Sequence, residues 1–191
     1  MFGNAYAGKR VFATGHTGFK GSWLCLWLER LGAEVTGYAL PPATEPSLFD
    51  QAGIAAGLRH IEGDVRDIAA LEAALIEAAP HFIFHLAAQP LVLESYAAPA
   101  ETFAINVTGS INLMEAIRKT GTRAAVVMVT TDKVYLNREW EHGYREDDPL
   151  GGYDPYSASK AAMEIAVSSW RSSFFDPASA SEHGVRLASA R

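Results

Sequence analysis

Gly15-His16-Thr17-Gly18-Phe19-Lys20-Gly21 stands between two stretches of opposite character. Arg10 to Thr14 before it reads as a strand, and Gly18 to Leu31 after it reads as a helix. In the helix, Leu24, Trp27, Leu28 and Leu31 recur at helical spacing and are expected to face a sheet. Glycines spaced Gly-x-x-Gly-x-x-Gly between a strand and a helix suit a phosphate-binding turn. Gly15 permits the tight turn, Gly18 lets backbone approach an anionic ligand at the helix N-terminus, and Gly21 lets helix and strand pack closely. The string alone is weak; its strand–turn–helix setting gives it weight.

Outward from this turn the chain alternates. Gly32 is a helix stop, and Glu34 to Ala39 is a second strand. Leu40 to Pro46 holds three prolines and is loop. Leu58 to Glu62 is a short third strand, followed by a helix from Arg66 to Ala79 that Asp67 can cap. His81 to Ala87 is a largely apolar fourth strand, of the kind buried on both faces of a parallel sheet. Ala98 to Lys119 is a long helix with Phe103, Val107, Leu113 and Ile117 expected to be buried. Ala124 to Thr130 is a fifth strand, Tyr156 to Phe175 a helix, and Gly184 to Ser189 the start of a sixth strand. Repeated βα units imply an α/β fold, a doubly wound (Rossmann-like) parallel sheet with right-handed crossovers. Because the residues run out beside a buried strand, the expectation is that 1–191 form one dinucleotide-binding domain, the N-terminal part of something longer, with a C-terminal substrate-binding domain absent from this chain.

Composition narrows the partners. Of 191 residues, 49% are hydrophobic and 20% charged, enough for one soluble core. A net charge of -6 without any basic stripe argues against nucleic acid. No apolar run approaches the roughly 20 residues of a membrane span, and basic residues follow rather than lead the short apolar N-terminus, unlike a signal peptide. The expectation is a cytoplasmic protein with no membrane partner. The lone cysteine, Cys25, has neither a disulfide partner nor a metal-site companion and is expected to fill the core. No metal site is expected.

In this setting the glycine turn is expected to hold a dinucleotide, with Gly15, Thr17, Gly18, Phe19, Lys20 and Gly21 around it. His16 and Thr17 are expected to matter through their backbone N–H groups. Lys20 is placed either near the phosphates or in solvent. The acidic residue usual at the end of the second strand is missing, since Tyr38, Ala39 and Leu40 occupy that region. No Lys or Arg lies between Glu34 and Arg59 to take a 2′-phosphate, which favours NAD over NADP. Asp64, with Val65 beside it, is placed to accept from an adenine amino group or to cap a turn. Leu86, Ala87, Ala88 and Gln89 supply small residues where backbone passes under the cofactor. Asn106, inside a helix where asparagine is a poor former, is expected to make a buried polar contact.

Near the other end stands Tyr156-Ser157-Ala158-Ser159-Lys160. A free tyrosine has a pKa of about 10. A lysine cation one helical turn away is expected to lie beside it and favour the phenolate, giving a proton acceptor for a hydroxyl whose carbon loses hydride to nicotinamide. The fifth strand ends in Thr130-Thr131-Asp132-Lys133, which faces the nicotinamide in this topology. Ionisable groups buried there need partners or a use; the plain alternative is a strand-end turn with a solvated Asp-Lys pair. An extra acid and base beyond the Tyr-Lys pair suggest a further proton transfer, such as loss of water.

These residues carry a resemblance to the extended branch of the short-chain dehydrogenase/reductase family, and within it to the CDP-glucose 4,6-dehydratases. The matching stretches are residues 15–24, 85–92, 106–109, 130–135, 144–152 and 154–160, and the resemblance extends over nearly the whole chain. Lys133 is the sharpest of them, since the dTDP-glucose and GDP-mannose dehydratases generally carry glutamate there. Glu94 departs from the pattern, where related sequences often have arginine. The resemblance implies an NAD-dependent hydro-lyase that oxidises the sugar at C4, eliminates water across C5 and C6, and reduces C6. In that scheme Tyr156 is the C4 acid/base, Thr131 bonds the C4 oxygen, and Lys160 lowers the tyrosine pKa and holds the nicotinamide ribose. Asp132 is assigned as the acid and Lys133 as the base, the opposite assignment standing open. The product class is a deoxysugar nucleotide of the kind used for lipopolysaccharide and O-antigen. The long helices match those used for dimer contacts in that family, implying a homo-oligomer, a dimer or a dimer of dimers.

Two other readings use the same residues. A sugar-nucleotide 4-epimerase would need Thr131, Tyr156 and Lys160 but not Asp132-Lys133. An NAD-binding sensor, or an inactive fragment, would keep the glycines without needing the Tyr-Lys pair for turnover. Asn137 to Asp154, with Trp140, Tyr144 and Tyr153 among charges, is either a substrate-side loop or an ordinary surface loop. His85 is expected to pack in its strand, and His142 and His183 to lie at the surface.

Overall fold

A computed structural model of the chain describes residues 2–191. Six strands form one parallel sheet: β1 (Arg10–Thr14), β2 (Glu34–Ala39), β3 (Arg59–Glu62), β4 (Phe82–His85), β5 (Ala125–Val129) and β6 (Arg186–Ala190). Their order is β3-β2-β1-β4-β5-β6, every neighbouring pair parallel. This is the doubly wound arrangement expected, and strand order reverses between β1 and β4. Thr14, the last residue of β1, lies beside Tyr38 of β2 and His85 of β4. A ligand crevice belongs at that reversal, beyond the carboxyl ends of the strands.

The main helices are α1 (Phe19–Arg30), α2 (Leu48–Gln51), α3 (Ile68–Ala78), α4 (Val92–Ala97), α5 (Pro99–Phe103), α6 (Gly109–Thr120), α7 (Pro155–Ser173) and α8 (Ala180–His183). Asp67 caps α3 as expected, accepting from the Ala70 N–H at 3.0 Å. After α1, Gly32 takes the left-handed conformation at φ 81°. Two cores flank the sheet. On one face Cys25 and Leu28 of α1 pack with Val11, Val35, Phe49 and Ile54. On the other, Leu71, Leu75, Leu113, Ile117, Met163 and Val167 of α3, α6 and α7 pack on Phe12 and Ile83. Cys25 is core, as expected, and burial pushes its thiol up to about 12. Among the described residues no helix is long and apolar enough to cross a membrane.

Several expectations are corrected. Trp27 is 49% exposed, because the inward stripe of α1 runs through Gly21, Ser22, Cys25 and Leu28. The long helix expected over 98–119 is interrupted by a π-helical turn, Ala104–Thr108, between α5 and α6. An inserted residue rotates the helix face. Phe103 is therefore exposed and Val107 only half-buried, whereas Thr102 and Asn106 are fully buried. The connections hide short helices: α2, whose Ser47 accepts from the Asp50 N–H at 3.1 Å, and α4 after β4. His183 is half-buried rather than at the surface, bonded to the Asp176 carbonyl at 3.0 Å and accepting from the Val185 N–H at 3.0 Å.

Candidate active site

A cleft of about 530 Å³ opens at the reversal point. Its floor is the glycine turn. Gly15 sits at φ 73°, and a Cβ there would lie 2.6 Å from the Ala87 nitrogen. Gly21 is tighter still: its Cβ would meet the Gly15 carbonyl oxygen at 2.1 Å and the His16 Cα at 2.8 Å. Gly18 differs, because the only atom near its Cβ would be the Gly15 oxygen at 3.4 Å. The first two are glycine because the chain itself crowds them; nothing in the chain demands it at Gly18, on the exposed cleft side. No side chain caps α1. Its first-turn N–H groups have no partner in the helix, a ready seat for an anion.

The turn is fastened from below. The Ser22 hydroxyl donates to the His16 carbonyl at 3.0 Å, and the Thr17 hydroxyl to the Leu40 carbonyl at 2.9 Å. His16 and Thr17 are thus more than backbone donors. The His16 ring is fully buried, 2.7 Å from His60 Nδ1, and stacks edge-on to Phe49. Gly37 of β2 admits it, since a Cβ there would overlap the imidazole.

Along one wall lie Ala39 at the end of β2, Leu40, Pro41 and Ala43 after it, then Gly63, Asp64 and Val65 after β3. The acidic ribose ligand often found after β2 is absent. Tyr38 is instead buried, its hydroxyl donating to the Asp64 carbonyl at 3.0 Å, and burial pushes it up to about 12. The Asp64 carboxylate is engaged by Arg66, with a closest contact of 2.6 Å, and accepts from the Arg66 N–H at 2.8 Å. Its side chain thus fastens the turn while Asp64 also lines the cleft. Arg66 also reaches Glu101, and Arg59 pairs with Glu77, so both arginines near this end have carboxylate partners.

The opposite wall carries Leu86, Ala87, Ala88 and Pro90 after β4, Ile105, Val129 and Thr130 at the end of β5, and Tyr156 and Lys160 of α7. Phe19 and Lys20 complete the lining at the mouth of α1. Gln89 and Asn106 do not line it. Asn106 is fully buried behind the wall: its Oδ1 accepts from the Gln89 N–H at 2.8 Å, and its Nδ2 donates to the Gln89 carbonyl at 3.1 Å and to Ser159 at 2.9 Å. The polar contact expected of Asn106 exists, but with the protein. It belongs to a buried thread. Thr14 meets His85 at 2.7 Å, His85 meets Ser110 at 2.9 Å, and Ser110 donates to the Asn106 carbonyl at 2.7 Å. Ser159 then donates to the Tyr156 carbonyl at 2.7 Å.

Two buried histidines make the fold acid-sensitive. Burial, with the Lys160 cation, holds His85 down at about 3; burial, with His60, holds His16 at about 4. Both lie below the ordinary 6.5, so between those values the unfolded chain binds protons that the native one does not. Their contribution is full above about 6.5. It falls on acidification by about 1.4 kcal/mol per pH unit per histidine. Thermal unfolding followed from about pH 7 to about pH 5 should show a steady fall in Tm; a flat profile would remove both rings from the account.

Tyr156 and Lys160 share the wall but are not paired as expected. Lys160 is 4% exposed, and its Nζ donates to the Val129 carbonyl at 3.1 Å and lies 3.7 Å from Met163 Sδ. Burial, with Lys20 adding, lowers it to about 8, against the opposing pull of Glu164. Tyr156 is raised above the ordinary phenol value by burial, which a Thr131 hydrogen bond opposes and the Asp132 and Asp154 charges reinforce. A cation turned toward a strand carbonyl does little for the phenolate. The expected depression of Tyr156 by Lys160 is therefore corrected: the phenol is held protonated, while the lysine, though lowered, stays mainly cationic at neutral pH.

The 3-10 turn Asp132–Val134, capped by Thr131, follows the carboxyl end of β5, and Thr131, Asp132 and Lys133 lie outside the cleft lining. The Thr131 hydroxyl donates to Asp132 Oδ1 at 3.0 Å and accepts from the Lys133 N–H at 3.3 Å. Asp132 and Lys133 are exposed, so the argument that they are buried ionisable groups does not hold. The Lys133 charge instead helps to lower Asp154, the N-cap of α7, whose carboxylate takes the Ser157 N–H at 2.9 Å and hydroxyl at 2.6 Å.

The sequence over residues 12–181 matches the family described as GDP-mannose 4,6 dehydratase. A curated CDP-glucose 4,6-dehydratase of Salmonella typhimurium is 52% identical over 98% of this chain and 52% of its own. The chain spans about half the length of the curated relatives it matches. Among solved structures, a Thermus thermophilus UDP-glucose 4-epimerase in complex with NAD superposes with TM-score 0.75 at 30% identity, over 87% of this chain and 52% of that one. MoeE5 in complex with UDP-glucose and NAD gives 0.67 at 31% identity, over 83% and 48%.

Proposed function

We propose that this chain, which belongs to the GDP-mannose 4,6-dehydratase family, is the NAD-binding domain of a 4,6-dehydratase acting on CDP-glucose. One observation carries the reading: the match to a CDP-glucose 4,6-dehydratase, 52% identical, spans 98% of the chain and so takes in both the glycine turn and the Tyr156–Lys160 wall of one cleft. The product would be CDP-4-dehydro-6-deoxyglucose, a precursor of deoxysugars of the lipopolysaccharide and O-antigen kind. The enzyme would be cytoplasmic. Residues 1–191 would be its cofactor domain, and the sugar and base would be chosen by the further length that relatives carry. Apolar residues left exposed on α5 and α7, Phe103 and Ile165, suit a homodimer through these helices.

NAD suits the site because Gly18 leaves room for a pyrophosphate over an uncapped helix, and no unpaired arginine stands where a 2′-phosphate would lie. Bound there, NAD would supply the acceptor for the C4 hydride and the donor that returns it to C6. Tyr156 takes the C4 hydroxyl proton, and Thr131 hydrogen-bonds that oxygen. Tyr156 starts from a raised pKa, so proton release there requires added positive charge in the cleft, from Lys160 redirected off the Val129 carbonyl or from the ring of the cofactor. The C4 ketone acidifies C5–H. Lys133 removes that proton, and Asp132 protonates the departing C6 hydroxyl. Both are exposed in this chain, so their desolvation would fall to the substrate and the rest of the enzyme.

The test is incubation of the complete polypeptide with CDP-, dTDP-, UDP- and GDP-hexoses, followed by the alkaline absorbance of a 4-keto-6-deoxy product. CDP-glucose should be converted first. Preference for dTDP-glucose would overturn the substrate, and interconversion of C4 epimers without loss of water would make the enzyme an epimerase.

A further inference from the structure

One buried carboxylate of α7 has no part in the scheme above. Glu164 is 4% exposed and stands one helical turn beyond Lys160. Its Oε1 accepts from the Thr130 hydroxyl at 2.5 Å; its Oε2 accepts from the Ser189 hydroxyl at 2.8 Å and from Arg191 at 3.2 Å. Thr130 is on the cleft wall, and Ser189 belongs to β6. Arg191 reaches further, donating to the Tyr135 hydroxyl at 3.0 Å and to the Glu146 carbonyl at 2.8 Å, its guanidinium 5.1 Å from the Tyr135 ring centre. Tyr135 stacks on Tyr144 at 5.1 Å, Tyr144 lies 5.5 Å from Trp140, and Trp140 stacks on His142 at 4.3 Å. Side chains thus run unbroken from the carboxylate to the tip of the loop between β5 and α7.

We propose that Glu164 is a positioning residue for Lys160: it clamps the ends of β5 and β6 and the aromatic loop around the lysine, and supplies the negative charge that keeps the lysine cationic. This deepens the dehydratase reading and rests on it only for the use made of Lys160. A carboxylate with three donors stays ionised even when buried. Burial pushes Glu164 up, but Arg191, Thr130 and Ser189 outweigh it and hold it below the ordinary range. Lys160 has neutral direct partners, a carbonyl and a thioether, so its charge is supported from a distance. The charged and titratable groups around it are Lys20 from α1, His85 from β4, and Tyr156 and Glu164 on its own helix. Lys20 disfavours the cation, and Glu164 opposes that.

The sign of one titration tests this. The protein has five lysines, so ¹³Cε-labelled lysine allows Lys160 to be followed by NMR on the full polypeptide without coenzyme or sugar. From a wild-type midpoint of about 8, Glu164→Gln should lower it by about one unit. If Glu164 merely packed the region, its loss would admit water and move Lys160 up toward its ordinary value. A rise or no change therefore overturns the proposal. If Glu164→Gln does not fold, Lys160→Met serves in its place. Reciprocity requires the Glu164 midpoint, read on ¹³Cδ, to rise by the same amount, and an unmoved midpoint overturns the proposal. Neither outcome touches the dehydratase reading, which stands or falls on the nucleotide-sugar assay.

Discussion

Tyr156→Phe should slow the first oxidation by about 10²–10⁴-fold while leaving the fold and coenzyme affinity nearly intact. The variant keeps the ring that fills the cleft wall and removes only the oxygen. Tyr156 is 9% exposed, and the hydroxyl that its phenol bonds, Thr131, is only half-buried and has Asp132 Oδ1 as another acceptor, so removing the phenolic oxygen strands no buried donor. The check is single-turnover appearance of reduced-nicotinamide absorbance with CDP-glucose, beside the unfolding midpoint and NAD affinity of each form. Retained oxidation at the wild-type rate would require another base in the cleft. Loss of NAD affinity as well would make the phenol part of the binding site.

The second large effect separates two glycines that look alike in the primary structure. Gly21→Ala brings a methyl within 2.1 Å of a main-chain oxygen, where no side chain can rotate away. Helix and turn must part, at a cost of about 1–3 kcal/mol that outweighs the gain in helix propensity of about 1 kcal/mol. Stability and NAD affinity should fall together. Gly18→Ala meets its nearest neighbour at 3.4 Å, an ordinary contact, so the unfolding midpoint should stay near wild type. Its methyl nevertheless occupies the approach of a pyrophosphate, and affinity should drop at least about tenfold, or about 1.4 kcal/mol. Calorimetry for stability and titration for affinity, on both variants, check this. Unchanged affinity in Gly18→Ala would place the pyrophosphate elsewhere.

Much of the architecture was legible because it depends on local pattern. Alternation of apolar strands with helical runs led to the doubly wound parallel sheet, and the glycine spacing led to the floor of the cleft. What escaped depends on contacts between distant residues. Trp27 and Phe103 fit a helical stripe, yet one sits opposite the buried face and the other just ahead of a π turn. His16 reads as a loop residue until Gly37, on another strand, makes room for its ring. Lys160 stands at the right spacing from Tyr156, but spacing does not say that its amine turns to Val129. Glu164, four residues beyond a buried lysine, was the one missed group with a visible signal, since opposite charges at that interval suggest a partner.

The thread from Thr14 to the Tyr156 carbonyl bears on any attempt to move this chemistry elsewhere. It stitches the first strand of the sheet to the seventh helix through His85, Ser110, Asn106 and Ser159, none of which would meet the ligand. Transplanting only the phenol and the amine onto another scaffold would leave the tyrosine's main chain unanchored. A successful graft would have to carry those four silent side chains as well, with a helix that swells by one residue where Asn106 turns inward.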